Sequence, residues 1–531
     1  MRSLHSIAAR LCFSLSLWLP AVAMSAPLQP ARNLLVLPQS ETDSSLALLW
    51  DKPEPHDAVA GYEVHQNEKL VATTAADKTF FGAANLAPGT KYSFSVIAVD
   101  AVGKKSPATA PVIATTKRRG VVLDVSAPPY GAKGDGHTRN TAAIQRAIDD
   151  CPEGGTVMIP SGVFVTGSVS LRSNMTFLVT KGAILKGSVD PADYLPMLHT
   201  RYMGIECDCN QPLIRVGTMD RNTGYTTRNV TLMGEGEIRG GGETLGLQQV
   251  YDQRSRLILI QNAQNVAILG LHLTFPAGWV IHPLYSDNVT AWNVWVESWD
   301  ALKGKSGDGF DPDSSTNCYL VNSVLHTWDN SFSPKSGRGL EGYQIARPTR
   351  HIRVVGCVLE HGAPSLGSEV SGGIEDVVVR DSTVIGTYFY IKTNDGRGGF
   401  VRDFTLENVE FKGGSDRSIW VDTNYEVRNT KPKAPVLTDC GRYVFRNLRG
   451  AGSITMDGRF QWGTGPERKS YIHQVEVSNV EMQAGSKISL QYCDGVKLER
   501  VRCADGTAPT YIVEGTNYDL TVDGKPLTSS P

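Results

Sequence analysis

The feature that most constrains this chain is a short phrase that keeps returning. "NVTLMGEGEIRG", "NVAILGLHLTF", "NVTAWNVWVES", "NCYLVNSVLHTW", "HIRVVGCVLEHG", "IEDVVVRDSTVIG", "VRDFTLENVEFKG" and "HQVEVSNVEMQAG" follow one another. Each is a polar turn residue, a short β-branched strand, a break and a second short strand. They recur roughly every 23 to 36 residues, the spacing of a solenoid. The apolar alternation has period two, which excludes helical repeats. One rung can bury its apolar face only on its neighbours, so the phrases must stack as a parallel β-helix. The fold class read from this pattern is all-β, a right-handed parallel β-helix. The unequal spacing means that loops of different length leave the stack, and such loops build clefts.

Before the first rung, "NTAAIQRAIDDC" (Asn140 to Cys151) carries helical apolar spacing at Ala143, Ile144, Ala147 and Ile148. A helix there is placed to cap an otherwise exposed core. This opening resembles the pectate-lyase-like β-helix superfamily. Further upstream, residues 30–116 have a different texture. "LALLW", "GYEVHQ" and "KYSFSVIAVD" are short strands between turns, the pattern of a small β-sandwich. Trp50, Tyr62 and Tyr92 sit where a fibronectin type III domain keeps its core and tyrosine corner, and the segment resembles that family. At the N-terminus, Arg2 and Arg10 precede and flank an apolar run from Leu11 to Ala23, followed by small residues to Ala26. This reads as a secretory signal peptide, too short for a membrane span. The expected organisation is therefore a signal at 1–26, a fibronectin type III domain at 27–117 and a β-helix at 118–531, in a secreted or periplasmic protein.

Hydrophobic residues make up 41% and charged residues 20%, which supports a large core. The formal net charge of -2 gives no global attraction to nucleic acid or to an anionic membrane. An acidic substrate would have to meet local cations. Eight of the nine cysteines follow Cys12. Cys207 and Cys209 lack the second pair that would complete a metal site, and Cys318 and Cys357 sit in apolar runs as buried thiols. No metal and no cofactor are expected.

The polar residues concentrate in four strings: "SGDGFDPDSS" (from Ser306), "TWDNSFSPKSG", "EHGAPSLGSEVSGG" and "YIKTNDGRGG". Each lies at a break between rung strands. In a β-helix such breaks stack, so four distant strings converge on one stripe. Their order and spacing resemble glycoside hydrolase family 28, the polygalacturonases, over roughly residues 121 to 414. Carried over position by position, the resemblance implies that Asp329 is the general acid and that Asp308 is the catalytic base. His361 matches the motif histidine. Lys392 matches the lysine of an Arg-Ile-Lys string in which Tyr390 replaces arginine. Asn330 stands where the family has a second aspartate. An amide cannot accept a proton, but it can orient water, and it removes a charge that would raise the pKa of Asp329. Tyr390 lacks the bidentate clamp of arginine and offers an aromatic face instead; Lys335, Arg338 and Arg397 are the candidate replacement cations. Asp311 and Asp313 either cap turns or take part directly. His282 reads as packing below the cleft.

The resemblance implies an inverting glycosidase acting on α-1,4-galacturonosidic linkages of a pectic polysaccharide or oligogalacturonide. A fibronectin domain ahead of the catalytic domain is similar to exo-acting bacterial members. The chain is expected to work as a monomer. Rival readings are a glycosidase for rhamnogalacturonan or xylogalacturonan, a calcium-dependent pectate lyase, and a non-catalytic carbohydrate-binding β-helix.

Overall fold

The computed structural model describes residues 27–56, 58–222, 224–299, 306–425, 432–460, 469–470 and 472–527. The expected signal segment lies outside them. Among the described residues, no helix is long and apolar enough to cross a membrane.

The solenoid forms as the repeat requires. Its long parallel sheet stacks the second strand residues of successive rungs in strict register. Phe177, Leu232, Ile268, Ala291, Leu320, Val354, Val379, Leu406, Phe445, Val477 and Leu498 lie one above the next. All are buried, so each rung completes the apolar environment of its neighbour. Full burial of one such side chain contributes about 1.5–3 kcal/mol. The polar residue that opens each phrase makes the corner. Asn174, Asn229, Asn265 and Asn288 all adopt the left-handed conformation that asparagine tolerates. Their amides form a ladder: Asn229 donates to Asn174 (2.7 Å), Asn265 to Asn229 (2.9 Å) and Asn288 to Asn265 (3.0 Å). The capping helix, Thr141–Asp150, inserts Ile144, Ala147 and Ile148 into the first rungs, while Ala143 is only partly buried.

The N-terminal sandwich has one sheet of Arg32–Val36, Leu46–Asp51 and Phe80–Ala83, and a second of four strands centred on Val59–Gln66 and Lys91–Asp100. Trp50 and Tyr62 meet edge to face at 5.5 Å in its core. The Tyr92 hydroxyl accepts the backbone N–H of Ala87 at 2.8 Å, as a tyrosine corner requires. "LALLW" is buried on both faces. Leu46, Leu48 and Trp50 fill the sandwich, while Ala47 and Leu49 join Leu37, Phe80, Val321 and Val355 in a second cluster against the solenoid. Beside it, buried Arg380 donates to Thr79 Oγ1, to the Trp50 carbonyl (2.7 Å) and to Asp51 (3.2 Å), and Lys52 reaches Asp381 at 2.5 Å. The sandwich is docked on the rungs through a seam that joins an apolar cluster to charge pairs.

The eight described cysteines are free thiols; Cys207 and Cys209 face each other with sulfurs 3.5 Å apart, and Cys318 and Cys357 are buried.

Candidate active site

A second sheet of the solenoid builds the site by failing to form in its middle. Val169–Leu171, Ile214–Val216, Ile258–Gln261 and Ile281–Leu284 pair in parallel, and so do the strands from Ser365–Gly367 to Thr510–Glu514. Between the two stacks, among the described residues, only isolated bridges continue the ladder, Ile281 to Phe310 to Phe332 and Leu284 to Asp313 to Lys335. Phe310 and Phe332 keep the core filled. The irregular backbone around them places Asp308, Asp311, Asp329, Asn330 and Lys335 together, and Lys392 arrives from Phe389–Lys392 two rungs on.

The resulting pocket, about 160 Å³, is lined by Asp308, Asp329, Asn330, Lys335, Lys392 and Arg397 together with residues that carried no assignment in the sequence. Asn330 is its hub. The Asn330 Nδ2 group donates to Asp308 Oδ2 (3.1 Å) and to Asp329 Oδ1 (2.9 Å). The amide oxygen accepts from Ser365 Oγ (2.5 Å) and Lys392 Nζ (3.0 Å). This orientation is dictated chemically, since an ionised Asp308 only accepts and the lysine only donates. The amide therefore holds the two aspartates in fixed relation without adding charge. Asp308 further accepts from Ser306 Oγ (2.9 Å) and Lys335 Nζ (3.2 Å), and Ser306 is itself fixed by Trp279 Nε1 at 2.6 Å.

Burial, and next the charge of Asp308, raise the Asp329 pKa; Lys392, Lys335 and the Asn330 N–H oppose this without cancelling it. Asp311 lies beneath. Neither of its carboxyl oxygens has a hydrogen-bond partner among the described residues, and Lys335 stands 3.9 Å away. Burial, then Asp308, push Asp311 well above the usual carboxylate range. Lys335 is buried too, which alone would lower its pKa, but Asp311, Asp308 and Glu369 together outweigh that and keep it charged. Burial lowers Lys392, and Asp329 partly offsets the effect. Glu369 stays on the low side despite burial because Lys335, Arg397 and Lys392 surround it. Asp313 is not in the pocket. It pairs with Arg201 at 2.8 Å, and the fully buried His282, 3.8 Å from Asp313, is pushed down to about 4 chiefly by burial. Both are packing below the cleft.

Two sequence-derived candidates stand elsewhere. His361 does not line the pocket. Its ring stacks on Trp299 at 4.1 Å and faces His326 at 4.8 Å, on the rim beside Asp329. Gly362 after it is pressed so close to the Asp329 carbonyl that no Cβ would fit. Tyr390, expected to present its face to a sugar, is buried. Register pairs it with Trp420, whose ring covers it at 4.6 Å, and its hydroxyl donates to Asp422 at 2.9 Å. The aromatic rings that line the pocket are Tyr251, Trp279 and Tyr425, the last of which meets Tyr390 edge to face. Arg338 also lies outside the lining.

The sequence reading missed Glu369, Trp279, Met203 and Tyr251. Glu369 lies within the quoted "LGSEVSGG", as its single acid. Met203 comes from an antiparallel hairpin, Leu198–Tyr202 and Ile205–Cys209, that folds over the pocket. Its tip, Gly204, has φ +81° and sits where a Cβ would strike the side chains of Glu369 and Arg338. Tyr202 stacks edge-on against Trp279 at 4.5 Å.

Residues 215–504 match the family model of glycosyl hydrolases family 28, more than half of the chain. The chain belongs to glycosyl hydrolases family 28. As a family 28 protein it is a glycoside hydrolase, and every pocket residue from Tyr251 to Tyr425 falls inside the match. Residues 29–115 match the fibronectin type III domain, and 125–182 match a rhamnogalacturonase A/epimerase, pectate lyase-like model. An exo-poly-alpha-D-galacturonosidase of Dickeya chrysanthemi is 28% identical over 95% of this chain and 96% of its own length. The family 28 exopolygalacturonase of Yersinia enterocolitica shares the fold with a TM-score of 0.78 at 24% identity, over 94% of this chain and all of that one. The exopolygalacturonase of Thermotoga maritima gives 0.61 at 23% identity, over 71% of this chain and 92% of that one.

Proposed function

We propose that this family 28 hydrolase is an exo-acting polygalacturonase that cleaves α-1,4-galacturonosidic bonds with inversion. The observation that carries the reading is the Asn330 amide, which ties Asp308 to Asp329 inside a pocket that holds three cations. Asp329, kept protonated by burial and by Asp308, delivers its proton to the leaving glycosidic oxygen. Asp308, which accepts from Ser306, Asn330 and Lys335, is the ionised base that draws a proton from water. Asn330 fixes both. With Asp329 and Asp311 protonated, Asp308 and Glu369 are the anions left against Lys335, Lys392 and Arg397. The pocket is then net positive and suited to a sugar carboxylate. Arg397, bonded to Ser368 Oγ at 3.1 Å, and Lys335 stand in for the arginine absent at position 390. Tyr390 acts from behind, steadying Lys392, whose ammonium lies 5.3 Å from its ring centroid. His361 serves at the rim. The hairpin bearing Met203 walls the pocket, which supports binding of a chain end over a mid-chain stretch. The relatives named above are exo-acting galacturonosidases, which supports the same reading.

Digesting polygalacturonate and a panel of other pectic polymers tests this. Small galacturonate products should accumulate from the start while viscosity falls slowly. Early mixed oligomers with a viscosity collapse would remove the exo mode. Turnover of rhamnogalacturonan alone would move the substrate, and ultraviolet-absorbing unsaturated products would make the reaction a lyase. The leader at 1–26 is proposed to direct export, and sequencing the N-terminus of the exported protein would locate its cleavage.

A further inference from the structure

A second constellation lies beside the pocket and shares only His361 with its rim. Parallel register places Glu297, His326 and Glu360 directly above one another on three successive rungs, with His361 next to Glu360. His326 Nδ1 contacts Glu297 Oε2 at 2.5 Å, and His361 Nε2 stands 3.7 Å from Glu360 Oε1. One ligand atom from each of His326, Glu360 and His361 lies within 4.8 Å of the others. All four side chains are partly exposed, so an ion can reach them. The rings are held in place: Trp299 stacks on His361, and the following rung contributes Gly386, which leaves open the space beside His361 Nδ1.

We infer that His326, Glu360 and His361, with Glu297 as orienting partner, form a binding site for a borderline dication such as Zn²⁺. Imidazole and carboxylate are the ligands that ion prefers, at about 2.0–2.2 Å. A tetrahedral set puts ligand atoms about 3.3 Å apart, so side-chain rotation alone closes the gap. Glu297 on His326 Nδ1 reproduces the carboxylate–histidine–metal relay, in which one ring nitrogen is oriented and the other ligates. Three protein ligands leave a fourth position for water. The sequence expected no metal, because the ligands fall on separate rungs and form no short spacing.

Calorimetric titration of the full chain with zinc chloride tests the site. One ion should bind per chain. His326→Ala and Glu360→Gln should each weaken binding at least tenfold, and Glu297→Gln about tenfold through lost orientation, with melting temperatures confirming that each variant folds. Replacing both Cys207 and Cys209 by serine should leave binding unchanged. No uptake by the native chain, equal affinity in His326→Ala and Glu360→Gln, or loss of binding in the cysteine variant would overturn the assignment.

Discussion

The seam under the sandwich and the catalytic pocket both bury charge on the same solenoid, and they treat it in opposite ways. At the seam the buried acids Asp381 and Glu407 each meet fixed cations. Asp381, fully buried, receives Lys52 (2.5 Å), Arg380 (2.8 Å) and Asn408 (3.2 Å), and Glu407 meets His56 and Arg446, both at 3.1 Å. In the pocket three acids crowd three cations, and beneath them the Asp311 carboxyl oxygens have no hydrogen-bond partner among the described residues. Paired burial makes structure. Crowded burial makes an acid hold its proton, which is what acid catalysis needs.

The contrast predicts separable failures. Asp329→Asn should cost the most, lowering kcat by about 10²–10⁴ or more with little change in melting temperature; steady-state kinetics with a thermal melt reads both. Arg380→Ala should do the reverse. Stranding the seam acceptors should destabilise the fold by about 3–5 kcal/mol, measured by denaturant unfolding, while kcat of the folded fraction holds. Asn330→Asp adds a like charge beside Asp329. The general acid then holds its proton to higher pH, so the alkaline limb of the kcat/KM profile should move up by about one pH unit; superimposable profiles would refute the role given to the amide. The smallest effect is at Glu407. Burial alone would raise its pKa, but His56 and Arg446 bring it down to about 2 from an ordinary 4.5. A depressed carboxylate stabilises above its unfolded value, and that contribution fades as pH falls from about 4.5 towards 2. Glu407→Gln should flatten the fall in melting temperature across that window.

The difference between the regions also marks what a sequence reveals. The solenoid was legible because each "NV" phrase carries both a left-handed corner and an apolar alternation, and stacking leaves no other arrangement. Asp308, Asp329, Asn330, Lys335, Lys392 and Arg397 could be named because their strings sit at rung breaks, and they line one pocket. Tyr390 could not be placed from its motif, because its surroundings depend on which residue register sets opposite, here Trp420. His361 turned to Trp299 for the same reason. Met203 and Tyr425 belong to segments without a motif, and only the folded hairpin brings Met203 over the cleft. "LALLW" concealed the seam: its unbroken apolar run records two buried faces, not one.

The most direct test of the acid–base account is the anomer released first. Proton NMR of a fresh digest of oligogalacturonide should show the β-anomer at the new reducing end before mutarotation, since Asp329 protonates one face while Asp308 drives water onto the other. An α-anomer formed first would contradict the pairing of these two aspartates as acid and base.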